Sequence, residues 1–189
     1  MNDTGWQLGA WAGEGDQALI DTVIASFSAV YRTHFSNEWL VNHTLPLEVR
    51  AFRRSDGWAV FLLLTPWMMA RVLLPEFDPG LPVPAGWSAA ERKALPFTAI
   101  GPLLPFTITG GEQKAHLNYL PELGHFLLQP LVQSMERYAS ADAVFAAWDE
   151  VIKTRDRIML EQKRECSWQK EVSRREFFAR LGGSRSGRQ

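Results

Sequence analysis

Residues 58–75, with the sequence WAVFLLLTPWMMARVLLP, constrain the fold more than any other part of this chain. Positions 58–64 are apolar without alternation, which is typical of a strand covered on both faces of a sheet. Pro66 ends that strand because proline cannot donate a hydrogen bond to a neighbouring strand. Positions 69–75 then form either another strand or the same strand after a bulge. The apolar run is too short to span a bilayer, so the sequence predicts a covered sheet.

Two hairpins are predicted around this region. The segment LPLEVRAF, residues 45–52, alternates apolar and charged side chains, and Asp56-Gly57 is a favourable hairpin turn after it. Farther along, LLPFTIT and KAHLNYL flank a GGEQ turn. The next segment, GHFLLQPL, is ambiguous between strand and helix. We therefore expect an antiparallel sheet of about four to six strands.

Helical periodicity occurs near both ends of the chain. Asp16 is placed to cap a first helix that ends near His34, and a second helix begins after Ser140 and could continue through KTRDRIMLEQKRE. The apolar stripe of the first helix consists of Leu19, Ile20, Val23, Ile24, Phe27, Val30 and Tyr31. One N-terminal helix and one or two C-terminal helices packed on the sheet make the predicted fold class α+β.

A long irregular connection is predicted at residues 75–105, which contain seven of the eleven prolines. Its one helix signal is a capping box formed by Ser88 and Glu91. Such connections in compact domains are often functional. We expect it to lie within a single domain at residues 16–154, after a flexible N-terminus at residues 1–15.

Charge is distributed unevenly. Residues 1–154 carry 10 Lys/Arg against 16 Asp/Glu, a balance of −6, whereas residues 155–189 carry 10 against 5, a balance of +5. We therefore predict an acidic body followed by a basic helical extension and tail. The net charge of −1 gives no reason to expect nucleic acid as a partner. The N-terminus is unlike a secretory signal, so we expect a cytoplasmic protein without stable membrane insertion.

Residues suited to catalysis or metal binding are few. A single cysteine, Cys166, cannot form a disulfide or a thiolate metal cage within one chain, and no nucleophile or phosphate-loop motif is present. We predict that the chain is not an enzyme and that it has no catalytic residue, bound metal or cofactor. The alternative is an enzyme, or a protein that binds a small ligand or metal, in which His116 and His125 meet across strands beside Glu112 or Glu122. A polar role in a hairpin is the commoner use of such histidines.

A binding surface is predicted at the strand break. Trp67, Met68 and Met69 directly follow Thr65 and Pro66. Methionine adapts to varied apolar partners, and tryptophan is common at interfaces. The alternative is that these side chains lie in the core. A third interpretation is a general scaffold that binds peptides through its edge strands and basic tail.

Residues 45–75 resemble the signature region of the HybE/HupJ-type [NiFe]-hydrogenase assembly chaperones. In this chain Trp58 lies in the first central strand, Thr65-Pro66-Trp67 follows, and an aliphatic strand ends at Pro75. LPFTIT and QPLVQSM are similar to later parts of the family pattern. GHFLLQP departs from it, because the family has a Cys-Ser-Leu type of strand at that place.

The resemblance implies a non-enzymatic maturation chaperone. It would hold the small or large subunit precursor of a hydrogenase, or both, until the metal centres are in place, and a rubredoxin-like accessory protein is among the partners implied. The client-binding candidates are Thr65, Pro66, Trp67, Met68 and Met69.

The sequence SRREFF at residues 173–178 is close to a twin-arginine export motif but lies at the wrong end for export. The resemblance implies that the client small subunit carries a true twin-arginine signal. Arg174, Arg175, Phe177 and Phe178 are therefore predicted to imitate that signal and to occupy the chain's own signal-peptide site. The alternative is the end of a helix that packs on the body.

Overall fold

The computed structural model describes residues 5–11 and 13–182, with side chains described as far as residue 161. The helices are α1 (Asp16–Val30), α2 (Ala89–Lys93) and α3 (Ala141–Gly182), and a π-helical turn, Tyr31–Phe35, continues α1. The strands are β1 (Glu48–Ser55), β2 (Trp58–Leu64), β3 (Met69–Pro75), β4 (Leu103–Ile108), β5 (Gly111–Leu120) and β6 (Gly124–Val132). The chain divides into two compact units, at residues 1–144 and 145–189.

The six strands form one antiparallel sheet in the order β1-β2-β3-β6-β5-β4, which confirms the α+β class. Leu64 of β2 pairs with Met69 of β3, so the strand break separates two neighbouring strands and is not a bulge in one. The ambiguous GHFLLQPL segment is strand β6, which pairs with both β3 and β5 and joins the two hairpins into one sheet.

Helix α1 covers one face of the sheet. Its side chains Leu19, Val23 and Phe27 are fully buried against alternate residues of the central strands. The expected cap at Asp16 is wrong. The N-cap is Gly15, and Asp16 instead accepts a hydrogen bond from Arg54 Nε at 2.8 Å.

The other face of the sheet is covered by irregular chain. Leu81, Val83 and Trp87 of the proline-rich connection, together with Trp6, pack on a cluster that includes Trp58 and Leu127. The prediction that β2 is covered on both faces is therefore confirmed, and the connection provides one of the covers. Its predicted capping box is present at the start of α2, where Ser88 and Glu91 exchange hydrogen bonds.

Helix α3 begins after Ser140, whose hydroxyl accepts a hydrogen bond from the Ala143 N–H at 3.3 Å. The helix continues for 42 residues and confirms the predicted extension through the charged segment. The backbone of residues 173–178 is part of it, but the side chains of Arg174, Arg175, Phe177 and Phe178 lie outside the described residues. Over residues 5–11 and 13–182, no helix contains an apolar stretch long enough to cross a membrane.

Candidate binding surface

The turn from Thr65 to Met68 joins β2 to β3 and is fixed by three hydrogen bonds. The Thr65 N–H and hydroxyl donate to the Met68 carbonyl oxygen at 2.9 and 2.8 Å, and the Met68 N–H donates to Thr65 Oγ1 at 3.0 Å. Thr65, Pro66, Met68 and Met69 are buried, whereas Trp67 is half-buried. The turn therefore presents Trp67 on a rigid support.

Trp67 is stacked on two other aromatic rings. Its ring centroid lies 4.2 Å from that of Phe35, with an interplanar angle of 10°, and 6.3 Å from that of Tyr31, with an angle of 2°. Trp67 Nε1 is buried and has no hydrogen-bond partner among the described residues. The half-exposed part of the indole is therefore its apolar ring, which suits contact with an apolar partner.

Tyr31 and Phe35 lie at the two ends of the π-helical turn. A π-helical turn is rare, and single turns of this kind occur frequently at functional sites. The Tyr31 hydroxyl and His43 Nδ1 form a hydrogen bond of 2.7 Å, which connects the turn to the following loop. The stack thus depends on a local backbone irregularity that helical periodicity does not reveal.

The loop after this turn adds exposed apolar side chains. Trp39 is 83% exposed and Leu40 is 53% exposed. The Asn42 N–H donates to the Pro66 carbonyl oxygen at 3.0 Å, so Trp39, three residues earlier, stays within about 10 Å of the turn. We call Tyr31, Phe35, Trp39, Leu40 and Trp67 the aromatic surface.

Asn42 fixes this loop on its other side. Its Nδ2 donates to the carbonyl oxygens of Met135 and Tyr138 at 3.0 and 2.8 Å, while its Oδ1 accepts the Thr44 N–H and hydroxyl. One side chain therefore ties the loop to the segment after β6. This anchoring lets Trp39 remain exposed on an ordered loop.

The two histidines proposed as a ligand site do not come together. Tyr119 pairs with His125, and His116 is three residues before Tyr119 on a regular strand, so alternation places the two imidazoles on opposite faces of the sheet. His125 is fully buried, and burial lowers its pKa. Among the described side chains, no group of three His, Cys, Asp or Glu could hold a metal ion.

Comparison with known proteins then decides the family. A model described as "[NiFe]-hydrogenase assembly, chaperone, HybE" matches residues 18–180. The chain belongs to the HybE family. The solution structure of HybE from Escherichia coli is similar over 71% of this chain and 74% of that one, at 16% sequence identity and a TM-score of 0.45. No curated protein matches the chain. Membership of a hydrogenase assembly chaperone family confirms the resemblance seen in residues 45–75.

In this HybE-family chain, the five predicted client-binding residues have different environments. Four of them are buried and form or anchor the turn, and Trp67 alone among the five keeps an exposed surface. Tyr31, Phe35 and Trp39 were not predicted as site residues. Tyr31 belongs to the apolar stripe of the predicted helix, and Phe35 lies four residues later, just beyond the predicted end near His34. That spacing could have indicated an aromatic pair if the helix had been extended by one residue.

The edges of the HybE-family sheet are poorly suited to binding a strand. In β4, the Leu117 N–H donates to the Pro102 carbonyl oxygen, so the backbone of Leu103, Pro105 and Thr107 faces outward. Pro105 has no N–H to offer a new strand. At the other edge, β1 contains a register shift between Arg50 and Arg53. Proline, arginine and irregular register all discourage edge pairing.

Proposed function

We propose that this chain binds a [NiFe]-hydrogenase precursor, through its small subunit, its large subunit or both, while the metal centres are assembled. The aromatic surface carries the proposal, because it places stacked and exposed aromatic side chains on a rigid turn and an anchored loop. The chaperone acts by binding in the cytoplasm and catalyses no reaction. The family membership supports an assembly role, and the aromatic surface supports an apolar client segment.

The physical basis is the strength of aromatic contacts. Trp and Tyr dominate binding energy at protein interfaces when neighbouring contacts exclude water from them. Trp39 is largely exposed and therefore has much apolar area to bury on a client. Trp67, backed by Phe35, is already ordered before binding, so little side-chain entropy is lost there.

A twin-arginine signal peptide is the client segment that we favour. Such a signal joins arginines to an apolar run, and the aromatic surface suits the apolar run. The arginines need carboxylates, which the acidic balance of residues 1–154 supplies in excess. A rubredoxin-like accessory protein is a further partner consistent with the family.

The test is binding of purified hydrogenase precursors, with and without the signal peptide, to variants of the exposed loop. Trp39→Ala and Leu40→Ala suit this test because both side chains are largely exposed, whereas Trp67→Ala would also remove packing. Loss of an interface tryptophan costs about 2 kcal/mol, so Trp39→Ala should weaken binding about 30-fold. Leu103→Ala is the matched control for Leu40→Ala, since both leucines are 53% exposed.

The result expected is weaker capture by the loop variants at unchanged melting temperature, with Leu103→Ala like the parent. Equal capture by all variants would show that the aromatic surface is not the client site. Equal capture of precursors with and without the signal would assign the surface to the mature part of the subunit.

A further inference from the structure

A second concave surface runs along α1. It lies on a different side of the helical segment from Tyr31 and Phe35. One wall is α1 and the π-helical turn that continues it, with Ser26, Ala29 and Thr33, and the opposite wall is the segment from Arg92 to Phe97. A second depression, lined by Thr22 and Ala25, continues it toward the start of α1. From Thr22 to His34 the helix rises about 18 Å. We call this surface the α1 groove.

The shape of the α1 groove suits a linear peptide. Its two parts, with volumes of about 220 and 290 Å³, lie one after the other along the helix. Its length matches about five or six residues of extended chain at 3.3 Å per residue. A linear segment can insert an apolar side chain between the two walls.

The charges of the residues that line the α1 groove indicate which kind of peptide segment it would bind. Arg92 and Lys93 contribute positive charges, whereas Glu122 is the one carboxylate among the described lining residues. This excess is opposite in sign to the acidic balance of residues 1–154 as a whole. We propose that the α1 groove is a second binding site, which takes an acidic linear segment of a partner protein.

The Arg92 side chain is already held in place at the groove, where it can bind a carboxylate of the partner segment. One terminal nitrogen donates to the Pro96 carbonyl oxygen at 2.8 Å and to Thr98 Oγ1 at 2.9 Å, and the guanidinium carbon lies 4.4 Å from the Trp87 ring centroid. A guanidinium held in place loses little entropy when a carboxylate binds nearby. Lys93 is exposed and can reach a second carboxylate.

The apolar part of the groove is open. Ala29 is exposed on the helical wall, and Leu95 on the opposite wall is 52% exposed. Phe97 is half-buried, with its edge against Phe27 at a centroid distance of 6.2 Å. Small residues on one wall and large apolar residues on the other leave room for a side chain between them.

This site is independent of the proposed capture of a precursor through the aromatic surface. A twin-arginine segment would be repelled by Arg92 and Lys93, so the signal peptide proposed for the aromatic surface does not suit the groove. The same chain can therefore lose one activity while it keeps the other.

The probe is a blocked hexapeptide of alternating leucine and aspartate, compared with the same peptide in which asparagine replaces aspartate. Binding to the full chain is followed by amide chemical shifts in an NMR titration. The acidic peptide should bind about tenfold more tightly and should shift Ala25, Ala29 and Leu95. Ala29→Glu and Lys93→Glu should weaken it by about tenfold, since each places a negative charge in the groove.

Ala18→Glu is the matched control, because it makes the same change on an exposed position of α1 outside the groove, and it should bind the peptide within about twofold of the parent. Equal binding of the two peptides, or shifts confined to the aromatic surface, would overturn the proposal. Self-association that Ala29→Glu abolishes would also overturn it and assign the groove to a second copy of the chain. Precursor capture by Ala29→Glu, measured separately, should equal that of the parent.

Discussion

His125 joins the N-terminal segment and the proline-rich connection to the sheet. Its Nδ1 accepts the Gln7 N–H at 2.8 Å, which leaves the proton on Nε2 to donate to the Trp87 carbonyl oxygen at 2.9 Å. The His125 N–H also donates to the Gln7 carbonyl oxygen at 2.8 Å. One neutral imidazole therefore holds both segments on β6.

We predict that His125→Ala destabilises the fold by about 3–4 kcal/mol. Two polar groups, the Gln7 N–H and the Trp87 carbonyl, lose their partners at about 1 kcal/mol each. The fully buried ring also packs against Trp6 and Tyr119, with centroids 5.6 and 5.0 Å away, and its loss leaves a cavity worth about 1–2 kcal/mol more. For a domain of this size, the melting temperature should fall by roughly 10 °C.

Lowering the pH should also destabilise the unmodified chain, because it protonates His125. Burial lowers the pKa of His125 in the fold, while the unfolded chain titrates near 6.5. The stabilisation from the neutral imidazole is therefore fully present above about pH 6.5 and is lost as the pH falls below that value toward the folded-state pKa. Burial raises the pKa of the neighbouring Tyr119, so that group stays neutral across this range.

The assay is denaturant unfolding from pH 5 to 8, recorded by tryptophan fluorescence, for the parent, His125→Ala and His116→Ala. His116 is the control because it is half-buried and makes one hydrogen bond, between Nδ1 and the Gly101 carbonyl oxygen at 2.7 Å. His116→Ala should cost about 1 kcal/mol and keep the slope below pH 6.5. Equal losses for the two variants, or an unchanged slope in His125→Ala, would refute the reasoning.

Three further predictions follow from other parts of the chain. Gly124→Ala should destabilise more than Gly110→Ala in thermal unfolding, because both positions have positive φ but only at Gly124 would a Cβ overlap backbone atoms, those of Gln7 and Gly9; equal effects would contradict a role for that close backbone contact. Deletion of residues 173–183 should raise affinity for a twin-arginine peptide about tenfold if the tail is a tethered competitor; loss of client binding would instead make it a contact arm. Metal analysis of the purified chain should find no stoichiometric metal, and one bound ion lost on mutation of His116 would contradict this.

Local signals account for the parts of the fold that the sequence could predict. Asp56-Gly57 forms the turn between β1 and β2, with Ser55 paired to Trp58, because a two-residue hairpin needs positive φ at both positions. The Ser88–Glu91 capping box starts α2 because its bonds lie within four residues. These features depend on neighbours in sequence, so a pattern reveals them.

The parts that could not be predicted depend on contacts between distant segments. The apolar segment GHFLLQPL is compatible with either a helix or a strand. It forms a strand because it pairs with both β3 and β5. Asp16 has a suitable side chain for a cap, but Arg54 from β1 binds its carboxylate instead. Tertiary partners thus replace the local roles that the sequence suggests.

The candidate site shows the same division. The Thr-Pro-Trp block indicated the correct turn, since proline ends β2 and a large aromatic residue follows. Burial of Thr65 and Met68 reflects the hydrogen bonds that close the turn, which no periodicity encodes. The stack on Phe35 requires the π-helical turn, which shifts the register of the helix by a single residue per turn.

The end of α1 therefore separates two surfaces with different chemistry. Tyr31 and Phe35 support the aromatic surface, whereas Thr33 and His34 line the α1 groove. These residues lie within one π-helical turn, so a substitution that removed the turn would alter both surfaces together. Binding at one surface does not require the turn to change, because Trp67 is already ordered by its stack on Phe35 before a client arrives. The two surfaces can therefore bind different partners separately, although the same turn supports both.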